Sequence, residues 1–117
     1  MAYEIPGFVF TAVSSGDVNQ FRAVKINSDG KAEEVDAADT DPIAGVAQMP
    51  ADDDQPEPIR IMRTGVTFAV AGAEVNPGHK IATDGDGKFV DDDGDSNIVG
   101  IALTGAEADG EFALLLV

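Results

Sequence analysis

The chain repeats itself, and this constrains its fold more than any other feature. Val24-Lys25-Ile26-Asn27-Ser28-Asp29-Gly30-Lys31 resembles Lys80-Ile81-Ala82-Thr83-Asp84-Gly85-Asp86-Gly87-Lys88, with the Asp-Gly-Lys triplets 57 positions apart (29 to 86). Ile43-Ala44-Gly45-Val46-Ala47 matches Ile98-Val99-Gly100-Ile101-Ala102 at an offset of 55 (43 to 98). Ile59-Arg60-Ile61-Met62 corresponds in place to Ala113-Leu114-Leu115-Leu116 at an offset of 54 (59 to 113). Each unit reads as strand, Asp-Gly turn, acidic loop, Gly-centred strand, acidic loop, strand. β proteins do reuse turn chemistry, but three blocks in one order with a slowly drifting offset favour a pseudo-repeat. Neither unit buries its apolar face alone, so the two must pack face to face or close a small barrel.

The segments between turns read as strands. Runs rich in Val, Ile and Phe, such as Phe8–Val13, Phe21–Ile26, Ile59–Met62 and Val66–Val70, are bounded by Gly, Asp, Asn and Pro. No stretch sustains a helical period, so helix is limited to a turn or two near 36–40 or 73–78. The expected fold is all-β, a small β-barrel or β-sandwich. Its organisation is an N-terminal arm or first strand over 1–16 and a single β-domain over 17–117, with pseudo-repeats at about 21–62 and 76–117. A length of 117 residues fits one such domain.

Charge excludes several function classes. Asp and Glu number 22 against 7 Lys and Arg, for a net charge of −15. Binding nucleic acid or anionic membrane requires clustered positive charge, so neither is an expected partner. The acids gather at 33–41, 52–57 and 84–95, the pattern of solvated loops. A nearly single-signed surface repels itself at low ionic strength, and salt screens that repulsion. The composition therefore fits a protein of a halophilic host. No Cys is present, which removes disulfides, thiolate metal sites and Cys nucleophiles. Met1–Pro6 show no basic stretch leading into a long apolar run, so no cleaved secretory signal is expected.

Residues for catalysis do not converge. His79, the one histidine, follows Pro77-Gly78 in a turn, and Ser14, Ser15, Ser28 and Ser96 all sit in turn-like contexts. Gly85 and Gly87 lead into a strand, not into the helix that a phosphate cradle needs. Asp84, Asp86, Asp91, Asp93 and Asp95 offer the hard oxygens calcium prefers. An EF-hand register from Asp84 nevertheless fails at Lys88, and one from Asp91 fails at Ser96 and Ala102. No enzyme, cofactor or metal site is expected.

The order of these segments resembles a known family. Asp41-Pro42-Ile43-Ala44-Gly45-Val46-Ala47, Thr64-Gly65-Val66-Thr67-Phe68, Val75-Asn76-Pro77-Gly78-His79-Lys80-Ile81, Ile98–Leu103 and a closing Phe-Ala-Leu-Leu-Leu-Val strand carry the likeness. From about residue 8 onward the chain is similar to the capsid decoration, or cement, proteins of tailed viruses, and more distantly to phage head decoration proteins. It departs from them in its extreme acidity and its acidic insertions at 52–57 and 91–95.

The resemblance implies a structural virion protein that binds the outer surface of an icosahedral capsid and stabilises the shell. It implies the major capsid protein as partner, a homotrimer on the shell, and synthesis in the host cytoplasm. In that picture Tyr3, Ile5, Phe8, Val9 and Phe10 are candidates for capsid contact, since an exposed apolar strand can extend a neighbour's sheet. Phe8 and Phe10 serve equally well as core residues of this domain. Arg60 and Arg63 are candidates for pairing with a neighbouring subunit, or they neutralise their own acidic loops. The alternative function is a small acidic surface or extracellular β-module that binds calcium or carbohydrate. Such binding platforms usually display Trp or Tyr, and here there is no Trp and Tyr3 alone.

Overall fold

A computed structural model describes residues 5–36, 43–52, 56–91 and 98–116. Eleven strands and no helix occur among them: β1 (Ile5–Pro6), β2 (Val9–Val13), β3 (Ala23–Ile26), β4 (Ala32–Glu34), β5 (Gly45–Ala47), β6 (Pro58–Met62), β7 (Gly65–Val70), β8 (Lys80–Thr83), β9 (Phe89–Asp91), β10 (Ile98–Ala102) and β11 (Glu111–Leu116). Residues 73–78 hold a bend, an isolated β-bridge at Val75 and a turn, and 37–42 lie outside the described residues. The strands form two open antiparallel sheets, ordered β2-β6-β5-β3-β4 and β1-β7-β11-β10-β8-β9. The architecture is a sandwich; neither sheet closes into a barrel.

Apart from β1, the two sheets have the same order, with β2 to β6 in the places of β7 to β11. The correspondence extends to single hydrogen bonds. Ser15 N–H donates to the Ala32 carbonyl as Gly72 N–H does to Phe89, and Val18 and Ala51 exchange bonds as Val75 and Ala106 do. Asn27 Oδ1 accepts from the amides of Asp29 and Lys31, and Asp84 Oδ1 accepts from those of Asp86 and Lys88. Both turns then use a glycine at φ 76, Gly30 and Gly87, a conformation that side chains resist.

The last block needs a correction. Val9 pairs with Met62 and Val66 with Leu115, so the offset there is 53 (62 to 115) and not 54. Leu114-Leu115-Leu116 has no apolar–polar alternation to mark its faces, so the sequence leaves the register open by one residue. A one-residue slip exchanges the two faces of a strand.

Alternate residues of the five-stranded sheet enter different cores, because neighbours along a strand point to opposite sides. Ala23, Val46 and Met62 join Ile81, Phe89, Ala102, Phe112 and Leu114 of the six-stranded sheet in the core between the sheets. Their neighbours Val24, Ala47 and Ile61 form a second core on the outer side with Ala32 and Ile59, alongside Val18 and Ala51 from the loops. The layers therefore run loop cover, five-stranded sheet, shared core, six-stranded sheet. No cluster forms on the outer side of the six-stranded sheet among the described residues.

Candidate functional site

The N-terminal segment is bonded to both sheets. Ile5 and Pro6 pair with Val66 and Gly65 at the edge of the six-stranded sheet, and Val9–Val13 pair with Met62–Pro58 at the edge of the other. The connection between them is held by Gly7 N–H to the Thr64 carbonyl (3.1 Å), Phe8 N–H to Thr64 Oγ1 (2.8 Å) and Arg63 N–H to the Phe8 carbonyl (2.8 Å). Tyr3 lies outside the described residues. Ile5, Phe8 and Val9 are exposed at 52%, 59% and 37%. Phe10 is half-buried against the outer core, and the Phe8 ring stacks on it at 6.0 Å.

Arg63 belongs to the same neighbourhood through its bond to Phe8. Arg60 is exposed on β6 opposite Thr11. Among the described residues neither arginine pairs with a carboxylate, whereas Arg22 pairs with Glu34 (3.2 Å), Lys25 with Asp36 (2.9 Å) and Lys88 with Asp109 (2.7 Å). The Lys88 ammonium, through its hydrogen bond and its charge, holds the exposed Asp109 carboxyl below its ordinary value of 3.8. The structure thus gathers Ile5, Phe8 and Arg63 around one connection, leaves Val9 exposed on the edge strand beside it and Arg60 exposed on the next strand in, and turns Phe10 inward.

A larger apolar surface adjoins this connection. Cross-strand pairing places Ile5, Val66, Leu115, Ile101 and Lys80 in one row across β1, β7, β11, β10 and β8. Their strand neighbours Thr67, Leu114, Ala102 and Ile81 are buried, so the row faces outward. Ile101 is 38% and Leu103 47% exposed, and Val66, Leu115 and Phe68 are half-buried. Apart from Ile5, sequence reasoning missed this face. β10 and β11 read as continuously apolar, the mark of strands covered on both sides. One signal was available: Lys80 stands where the first unit has Ala23, which is fully buried.

Chemistry of other kinds finds little purchase. No group of three or more potential metal ligands occurs among the described residues, and Asp93 and Asp95 lie outside them. Asp84 is committed to its turn, and Asp91 to Asn76 Nδ2 (3.1 Å) and His79 Nδ1 (3.0 Å). An open cavity of about 360 Å³ lies beside Arg22, Glu34, Asp86 and Lys88. Arg22 donates there to Glu34 and to the Asp86 carbonyl, and Ala23 N–H donates to the Gly87 carbonyl, so the cavity marks a joint between the two sheets.

The model of a family described as phage cement protein matches residues 6–117. Among solved structures, the chain is similar to the head fiber gp8.5 N base in bacteriophage phi29. The TM-score is 0.76 at 22% identity, covering 94% of this chain and 93% of that one. At that identity the likeness speaks for the fold. No curated protein sequence matches.

Proposed function

The chain belongs to the phage cement protein family, and from that membership we propose that it binds the outer face of an icosahedral capsid and stabilises the shell. It is a structural protein of the virion surface and not an enzyme. The observation that carries the reading is the family match, which runs from residue 6 to the last residue. A fold shared with a phage head fiber base and an apolar surface on the six-stranded sheet support it.

The partner is the major capsid protein of a tailed virus, and the chain sits on the shell as a homotrimer. Residues 1–16 act as an arm and first strand on a single β-domain, 17–117. Tyr3, Ile5, Phe8, Val9 and Phe10 contribute to the capsid contact, with Phe10 supporting Phe8 from beneath. Arg60 and Arg63, lacking carboxylate partners among the described residues, pair with acidic groups of a neighbouring subunit. The acidic loops keep the outward surface solvated, as expected of a virus of a halophilic host.

The test is reconstitution. Purified protein added to capsids that lack it should bind to saturation at a fixed ratio and raise the temperature at which the shells open. Electron microscopy should show added density on the outer face, and its symmetry reads out the oligomer. If mass spectrometry of purified virions finds none of this chain, the proposal fails.

A further inference from the structure

We propose that the open face of the six-stranded sheet is the surface seated on the shell, and that it meets an uncharged aliphatic and aromatic patch of the shell-forming protein. The face is the row Ile5, Val66, Leu115 and Ile101, with Phe68 and Leu103 beside it. This inference rests on the capsid-binding reading above and names the surface that performs it.

The five-stranded sheet shows what such a row packs against. There the corresponding row is Val9, Met62, Val46 and Ala23, paired one to the next across β2, β6, β5 and β3. Met62, Val46 and Ala23 are buried, at 2%, 0% and 0% exposure, beneath Ile81, Phe112 and Leu114 of the six-stranded sheet. The same position in the fold therefore shows what covers such a row: a surface of aliphatic and aromatic side chains. In the six-stranded sheet Val46 answers to Ile101 and Met62 to Leu115, so the row stays apolar as far as Lys80, which stands in the place of Ala23, and none of the described residues forms a second core over it. An apolar sheet face with three residues more than a third exposed is the kind of patch that marks an interaction site.

Charge and continuity select the occupant. Each copy of this chain carries a net charge of −15, so pressing two copies together over this face works against their mutual repulsion. A shell surface that is neutral or basic complements it. The row also runs directly into the N-terminal connection, because Ile5 is its first member and Phe8 and Arg63 lie just beyond. One continuous footprint thus joins the sheet face to the arm.

The experiment uses the full-length chain, its Ile101→Asp and Leu103→Asp variants, and Ile26→Asp as an exposed apolar control away from the face. Circular dichroism and thermal melting establish that all are folded. Solution mass is measured by light scattering, and binding by co-sedimentation with capsids of the cognate phage prepared without this protein. The expected result is a fall of about tenfold or more in shell affinity for both face variants, with the control and every solution mass unchanged. Face variants that bind as tightly as the unmodified chain overturn the inference while leaving the capsid reading in place. A solution oligomer that only the face variants break overturns it too, by giving the face to a second copy. An unmodified chain that never binds the shells removes the capsid reading itself.

Discussion

Gly45 and Gly100 stand at the same place in the two sheets, and the reason is a neighbour's backbone. A Cβ on Gly45 would run into the Met62 carbonyl oxygen, and one on Gly100 into that of Leu115. Gly100→Ala should therefore cost about 2 kcal/mol or more in chemical denaturation, since a strand backbone cannot step aside as a side chain can. The glycine-centred strands were legible in the sequence; the close approach that requires them was not. Phe8 and Phe10 make the opposite case. Two positions apart, they carry equal weight in the sequence, yet Phe8 is 59% exposed and Phe10 packs on the outer core. Phe8→Ala should shift stability by no more than about 0.5 kcal/mol, and Phe10→Ala should cost about 1–3 kcal/mol, both read from thermal unfolding. A large loss at Phe8 would place its ring in the core. Phe21 shows how far the two units diverge: its φ of 64 is matched by Gly78 at 84, and its ring packs on Phe68 at 5.8 Å.

At the scale of elements, turn chemistry was the clearest signal. The Asn27 and Asp84 side chains cap equivalent turns with equivalent bonds, and each turn joins a hairpin, β3 to β4 and β8 to β9. Register was the weakest signal, because the leucine run of β11 offers nothing to alternate. The hairpin turn after β8 also holds Lys88, which reaches Asp109 in the loop before β11. Asp109 is held ionised below its ordinary 3.8, so its contribution is present near neutral pH and is lost as pH falls through its depressed folded value. Lys88→Met should be slightly less stable than the unmodified chain at about pH 7, and the gap should narrow as the pH is taken down to about 3. Urea unfolding at both values measures it, and a gap that widens in acid would contradict the assignment. The effect is small because the carboxylate is exposed and water screens the pair.

At the scale of the molecule, the acids and the apolar surface divide the work. A net charge of −15, carried on loops and on strand residues such as Glu33, Glu34 and Glu111, should make stability depend on salt. The melting temperature should be higher in about 3 M than in about 0.1 M salt, as screening relieves the self-repulsion. A melting point no higher in the brine would remove the halophilic reading. The all-β class, the turns and the first two repeated blocks were legible in the sequence alone, because turn residues and strand propensity act over a few neighbouring positions, whereas the register of the third block was not. Only the tertiary structure decided that the units stack as open sheets in a sandwich, with one unit's row covered and its counterpart exposed. Apart from Lys80, both rows are apolar in sequence, and apolarity records that a side chain avoids water without recording what does the covering. Met62, Val46 and Ala23 of the first row are covered by the other sheet of their own chain, and the second row is left without a core over it among the described residues.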